Sequence, residues 1–253
     1  MKKLLFVFLF TSILIIGKSQ IFIGGFTAGA NITQVEGDEV NGYNKLGFNV
    51  GPSVMLSLDK KQRFFVTMEL LFTQKGAFQK NYSNTVDAKP LDDTLLFDMS
   101  YPYRNDIYYK LRLDYVEVPV VFHYEDPYTG WAFGIGGSWA RLVNFQETVF
   151  GQRLFSDLES GRYNRNEWSF LLDLKIPVYK GLKFNFRYQY SIVPIGKDRV
   201  FYANNNGGKT VRSPYNNVLT FRILYTFNDK YTFNEKNDRT GKRVGPRWVR
   251  IEK

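Results

Sequence analysis

The sequence of 253 residues contains no cysteine and only one histidine, His123. The lack of cysteine excludes disulfides, a thiol nucleophile, a cysteine-ligated zinc site and a lipid anchor attached to cysteine. A single histidine excludes a histidine-rich metal centre. We therefore predict a protein that holds no metal and no other cofactor.

Long apolar runs are also scarce, because only the start of the chain has one. Two lysines precede the apolar run 4–16, and the small residues Gly17 and Ser19 come just before Gln20. This arrangement is typical of a secretory signal peptide. The alternative is a membrane anchor, but the run is shorter than the roughly 20 residues that a spanning helix needs. We predict that residues 1–19 are a signal peptide.

Acidic residues are outnumbered, with 24 Asp and Glu against 34 Lys and Arg, and the formal net charge is +10. Loss of Lys2, Lys3 and Lys18 with the signal peptide would leave +7. A basic surface suits nucleic acid, anionic lipid or an acidic partner. Because a secreted chain does not meet nucleic acid, we predict outer-membrane lipid, lipopolysaccharide and a protein in the periplasm or outer membrane as partners.

The rest of the chain is rich in aromatic residues, at 17%, yet its mean hydropathy is only −0.30. Segment 219–227, LTFRILYTF, explains the low mean hydropathy, because large apolar residues alternate there with residues that are mostly polar. A period of two predicts a strand with one apolar face. Eight such segments follow one another, at 21–33, 46–58, 64–75, 111–124, 131–140, 168–178, 182–192 and 219–227.

One strand departs from this alternation. Leu111 and Leu113 are out of phase with Val116. We therefore predict a bulge near Asp114 and Tyr115, because one extra residue shifts the side-chain alternation.

The connections alternate in length. The segments 59–62, 125–129 and 179–181 are tight turns, whereas the segments 34–45, 79–109, 144–165 and 194–216 are long. Barrels of the bacterial outer membrane have short periplasmic turns and long extracellular loops. The apolar faces are almost free of charge over about ten residues, the length that a tilted strand needs to cross a bilayer.

These features predict an all-β fold in residues 20–227, an eight-stranded antiparallel up-and-down transmembrane β-barrel in the outer membrane. The alternatives are a soluble β-sandwich and a lipocalin-like barrel. The lipocalin-like barrel would turn Phe184, Phe186 and Tyr188 into its interior, because such an interior is apolar.

Several segments resemble a known family. They are GFTAGANIT near the start of the barrel, MELLFTQKGA at 68–77, DYVEVPVVFHY at 114–124, FGIGGSWARL at 133–142 and the closing LTFRILYTF. Over residues 21–227 the chain resembles the PorT-like outer-membrane β-barrels of Bacteroidetes. Glu69, Lys75 and Glu117 match charged positions of the family motifs. The resemblance implies a barrel without an assigned activity, although some members serve type IX secretion.

The polar faces of the predicted strands carry eight charged residues: Glu69, Lys75, Glu117, Asp173, Lys175, Lys183, Arg187 and Arg222. The interior of an eight-stranded barrel is just wide enough for side chains. Buried charges are costly unless they are paired. We therefore predict an ion-pair network that fills the barrel, with a proton or ion path as the alternative.

His123 raises the alternative of a lipid-modifying enzyme, but the sequence places no serine or acid beside it. The long loops, which include Tyr109, Arg162 and Tyr163, are rich in tyrosine and arginine. Such loops suit a contact surface. They also suit a plain surface that faces solvent or lipopolysaccharide.

Residues 228–253 form a basic tail beyond the last strand, with eight Lys or Arg and four acidic residues. We predict that this tail is periplasmic and docks a partner protein, because an apolar cluster lies among its cations. The predicted docking residues are Arg243, Arg247, Trp248, Val249, Arg250 and Ile251. The tail could instead fold back on the barrel or stay disordered.

Together these observations favour a non-enzymatic barrel that is a structural or accessory component of an envelope assembly, such as type IX secretion or outer-membrane protein machinery. A small channel or ligand-binding barrel is the alternative, and the lipid-modifying enzyme is a further one.

Overall fold

The computed structural model describes residues 22–37, 42–59, 63–80, 108–126, 129–149, 152–155, 158–179, 181–202, 209–227, 231–234 and 247–250. The predicted signal peptide, residues 1–19, lies outside them. The strands are Phe22–Glu36 (β1), Lys45–Ser57 (β2), Phe64–Glu69 (β3), Leu71–Lys80 (β4), Tyr108–Glu125 (β5), Ala132–Val149 (β6), Gln152–Phe155 (β7), Asn166–Tyr179 (β8), Leu182–Ser191 (β9), Arg199–Tyr202 (β10), Lys209–Arg212 (β11), Tyr215–Thr226 (β12), Tyr231–Asn234 (β13) and Arg247–Arg250 (β14). A short 3₁₀ helix spans Leu158–Ser160.

The main sheet closes into a ring of antiparallel strands. β1 pairs with both β2 and β12, and the ring continues through β3 and β4 to β5, β6, β8 and β9, and back to β12. β3 and β4 are two halves of one strand and are separated by Leu70. The ring therefore has eight long strands in up-and-down order, which confirms the predicted fold class.

The interruption at Leu70 lies across from Pro52 of β2, a residue that has no N–H to give to the sheet. The Leu70 N–H donates to the Pro52 carbonyl at 3.1 Å. Gly51 permits this close approach, because a Cβ there would lie 1.9 Å from the Leu70 carbonyl oxygen. Pro52 thus coincides with a break between the two half-strands β3 and β4 of the neighbouring strand.

The apolar side chains of the ring face outwards. Phe22, Leu46, Trp168 and Ile192 are each more than half exposed, and a longer series of large apolar residues shares that outer surface. The charged and polar residues that alternate with them are buried. This is the reverse of a soluble protein and is the arrangement of a barrel that faces lipid.

The strands reach further at the long-loop end than the sequence indicates. β6 continues to Val149, and β7 pairs with its end, so part of the predicted loop 144–165 is strand. A separate two-stranded sheet, β10 with β11, occupies part of the predicted loop 194–216. The loop residues Tyr109 and Tyr163 are buried there. A hydrophobic pattern misses these extensions because they rise above the lipid and no longer need an apolar outer face.

The predicted register shift lies between Asp114 and Tyr115, where β5 meets β6. Asp114 pairs with Asn144 and Tyr115 with Leu142, so the extra residue is Val143 of the neighbouring strand. Leu111 and Leu113 remain on the inner face and are fully buried. Leu111 and Leu113 are therefore apolar because they belong to a group of apolar side chains packed inside the barrel.

Within the described residues, no helix has both the length and the apolar character required to span a bilayer.

Candidate functional site

The inner face of the ring carries the charged residues on which any function of the barrel interior would depend. Strand alternation directs the eight sequence-predicted charged residues inwards from five of the eight ring strands, and none of the eight is more than 4% exposed. They lie in layers along the barrel axis.

Glu69 is the centre of the network. Its carboxylate accepts two hydrogen bonds from Arg187, at 3.0 and 3.1 Å, and two from Arg222, at 2.8 and 2.9 Å. Each guanidinium therefore grips the carboxylate with two nitrogens, which is the strong and directional form of this ion pair. The Arg222 Nε also donates to Asn185. β3 is joined in this way to the neighbouring pair β9 and β12, which lies more than 100 positions later in the sequence.

Asp173 forms the next layer, towards the tight turns. It accepts from Arg187 Nη2 at 3.1 Å, from the Asn185 amide at 2.7 Å and lies 3.0 Å from Nε2 of His123. The Lys175 ammonium is 4.0 Å from Asp173. Arg187 thus bridges the two acidic centres of the barrel.

Lys75 is the centre of the layer on the other side of Glu69 and is completely buried. Its ammonium lies 2.9 Å from Glu167 and 3.3 Å from Glu117. Gln189 donates to Glu117 at 2.7 Å, and Asn216 donates to Glu167 at 2.7 Å. Both carboxylates are therefore satisfied by a cation and an amide.

Two acids that pair with the predicted cations were missed by the sequence reasoning. Glu167 lies one position before the predicted start of its strand at Trp168, and continuing the alternation by that one position would have found it. Glu125 lies 3.9 Å from Lys183 in what was predicted as a tight turn. With these two, the five cations of the predicted set face five carboxylates.

An apolar cluster closes the barrel at the long-loop end. Its buried members are Val35, Ala77, Tyr109, Leu111, Leu113, Tyr115, Ala140, Leu142, Phe145, Tyr163 and Ile195. Glu147 lies at its edge and accepts from Tyr109 at 3.1 Å and from Arg162 at 2.8 Å. Together with the charged layers, this cluster fills the interior with side chains.

His123 is fully buried among groups that resemble a catalytic set. Its Nδ1 lies 3.4 Å from the Thr67 hydroxyl, its Nε2 contacts Asp173, and its ring stacks on Phe65 with centroids 4.8 Å apart. The acid that the sequence did not place beside His123 therefore comes from the next strand but one, because His123 and Asp173 both pair with Gly134 of β6, which has no side chain between them. Because Thr67 and Asp173 are also at most 4% exposed, a substrate has no route to this group.

In the part of the chain that the structure describes, no group of three or more His, Cys, Asp or Glu could hold a metal ion.

The predicted docking residues of the tail are only partly described. Arg247, Trp248, Val249 and Arg250 form β14, which pairs antiparallel with β13, so that Trp248 is opposite Phe233. Arg243 and Ile251 lie outside the described residues.

A closed ring of eight antiparallel strands, apolar outside and charged inside, defines a transmembrane barrel of the outer membrane. The sequence matches the model of the outer membrane protein beta-barrel domain over residues 21–196. The chain belongs to this family.

Several solved structures of outer-membrane proteins are similar to the chain. Ail, the attachment invasion locus protein of Yersinia pestis, is 12% identical to this chain, with a TM-score of 0.41. The match covers 81% of this chain and 98% of Ail. Neisserial surface protein A is 11% identical, with a TM-score of 0.43, and the match covers 83% of this chain and 100% of that protein. A major outer membrane protein of Thermus thermophilus is 13% identical, with a TM-score of 0.43, and the match covers 81% of this chain and 99% of that protein. No curated protein matches the sequence.

Proposed function

We propose that this barrel is a non-enzymatic structural or accessory component of an envelope assembly, and that its C-terminal tail, residues 228–253, docks a partner protein. The assembly we favour is type IX secretion or outer-membrane protein machinery, in line with the resemblance to PorT-like barrels of Bacteroidetes. The predicted signal peptide is part of this proposal, since it delivers the chain to the envelope.

The tail is the observation that carries the proposal. The ring is already closed when β12 ends at Thr226, because β12 pairs with β1 along Gly25 to Glu36. The chain nevertheless continues, and β13 and β14 form a sheet of their own beyond the barrel. A barrel that only had to span the membrane would not need this addition.

The tail leaves the barrel on the side where a partner in the periplasm could reach it. The Thr226 N–H donates to the Gly181 carbonyl in the tight turn between β8 and β9, so β12 ends at the tight-turn end. In outer-membrane barrels that end faces the periplasm.

The filled interior favours this role over a channel. Ion pairs and amides occupy the middle of the barrel, and the apolar cluster of Leu111, Tyr115 and Phe145 occupies the long-loop end. Water and ions would have to displace buried, paired charges to pass. The burial of His123 likewise favours a structural histidine over a lipid-modifying enzyme.

Removal of the tail is expected to abolish capture of the partner while leaving the barrel intact. Chemical crosslinking in native membranes, followed by purification, would compare the full chain with a chain that ends at Phe227. We expect a tail-dependent crosslinked envelope protein whose capture is competed by a synthetic peptide of residues 228–253. Trp248→Ala is expected to reduce capture.

Trp131→Ala is the matched control, because Trp131 is a tryptophan outside the tail, 42% exposed, immediately before a barrel strand. Heat-dependent mobility in gels would show that every variant still forms a barrel. The same crosslinked proteins with and without the tail, or no effect of the peptide, would contradict the proposal.

A further inference from the structure

The outer surface of β4, β5 and β6 carries exposed cations just above the apolar band. Lys110 and Arg141 are exposed, the Arg112 side chain is 41% exposed, and Lys80 is exposed at the end of β4. The strand register aligns these residues along one stretch of the wall. Lys110 pairs with Phe78, two positions from Lys80, whereas Arg141 pairs with Val116, six positions or about 20 Å further along β5. We call Lys80, Lys110, Arg112 and Arg141 the cationic face.

This face lies at the height of lipid headgroups. Arg141 follows Trp139 in the outward alternation of β6, and Trp139 pairs with Trp168 of β8. Tryptophans are enriched at the membrane–water interface, so this pair marks the edge of the lipid. Arg112 is four positions above Val116 on β5, which corresponds to about 13 Å along the strand. The cations therefore span the headgroup layer of the outer leaflet.

Among the described residues of the eight ring strands, exposed cations occur only on β4, β5 and β6, whereas Arg165, Lys197 and Arg212 are exposed outside the ring strands. Every Lys and Arg in β1, β8, β9 and β12 points inwards, namely Lys175, Lys183, Arg187 and Arg222. At the corresponding height those strands present Tyr190 and Tyr215, whose rings stack with centroids 6.1 Å apart, and the carboxylate of Glu36, to which Tyr190 donates at 3.0 Å. A general demand for solubility would spread the charge evenly around the barrel.

Part of the face is held in place by the protein, and part is free to bind. Arg112 forms an ion pair at 2.9 Å with Asp114, a buried carboxylate that also accepts from Gln74 and Asn144. Among the described residues, no hydrogen bond or ion pair engages the side chain of Lys110 or Arg141. Arg112 is thus oriented in advance, while its two neighbours keep their full capacity for an anion.

We infer that the cationic face binds the phosphorylated headgroup of an anionic glycolipid of the lipid A class in the outer leaflet. Guanidinium and ammonium groups are the side chains that recognise phosphate. The acyl chains of the same lipid would lie along the apolar strip below, where Val116, Val118 and Val120 face outwards. This inference does not depend on the tail or on its partner.

The test compares two double variants with equal loss of charge. Lys110→Gln with Arg141→Gln removes the free cations of the cationic face, whereas Lys197→Gln with Arg212→Gln removes two exposed cations from the loop region before β12. Purified protein in a neutral detergent would be titrated with lipid A and with lipid A that lacks phosphate, and binding would be followed by native mass spectrometry.

We expect the first variant to bind lipid A about tenfold more weakly, because each cation near an anionic lipid contributes a few-fold in affinity. The second variant should bind like the natural chain, and lipid A without phosphate should bind weakly to all. Equal weakening in both variants would overturn the inference, since it would show attraction to net charge alone. Full competition by inorganic phosphate at matched concentration would also overturn it, since the lipid would then contribute nothing.

Discussion

Glu69→Gln is expected to lower the free energy of unfolding of the barrel by about 3–5 kcal/mol, the usual cost of removing one partner from a buried ion pair. Glu69 is the carboxylate that both Arg187 and Arg222 grip with two nitrogens. Without the charge of Glu69, Arg187 keeps Asp173 as its carboxylate, whereas Arg222 keeps only the Asn185 amide among the described residues. Urea titration of protein refolded in lipid vesicles, with folding followed by gel mobility, would measure the loss.

The control for this change is Glu159→Gln, because Glu159 is an exposed acid at the long-loop end. A change of this kind is expected to cost no more than about 0.5 kcal/mol. The double variant Glu69→Gln with Arg222→Met should be more stable than the sum of the single changes predicts, since it removes the stranded charge. An additive result would show that Glu69 and Arg222 do not stabilise one another.

Lys75→Met is the second change with a large expected effect, again about 3–5 kcal/mol. Methionine fills a similar volume but leaves Glu117 and Glu167, both within 3.3 Å of the Lys75 ammonium, without their cation. Two neighbouring carboxylates in a dry interior repel each other and are poorly solvated. The same urea titration would measure the loss.

A triple variant separates the two possible causes of the lost stability, which are unpaired charge and poorer packing. Lys75→Met with Glu117→Gln and Glu167→Gln replaces the whole charged group by neutral side chains and should recover most of the lost stability. Lys197→Met is the matched control, since Lys197 is exposed. A triple variant that is no more stable than Lys75→Met would assign the loss to packing rather than to charge.

The sequence predicts the fold of this protein well because lipid makes a strict demand on every strand. A residue such as Phe184 must be apolar where it faces lipid, and its neighbour Lys183 is free to be charged only because it faces inwards. That demand ends at the edge of the bilayer. The extension of β6 to Val149 and the β10–β11 sheet were therefore invisible to a pattern of alternating hydrophobicity.

The inner residues are predictable as a set, but their partners are not. Alternation alone assigns Glu69 and Arg222 to the interior, whereas their contact depends on the closure of the ring and on the register of each strand pair. His123 shows the same limit, because its neighbour Asp173 is 50 positions away in sequence and reaches it over Gly134 of the strand between them. Leu111 and Leu113 show the converse, since their phase predicted a bulge, and only the structure shows that they also belong to the buried apolar cluster.

The central claim is that side chains fill this barrel, so that its work is done by surfaces and by the tail rather than through a pore. Conductance of the purified protein in planar lipid bilayers tests this claim most directly. We predict no channel steps above the bare bilayer, both for the full chain and for the chain that ends at Phe227. Reproducible, voltage-stable steps from folded protein would contradict the account, because ions cannot pass while Glu69, Lys75 and the apolar cluster occupy the interior.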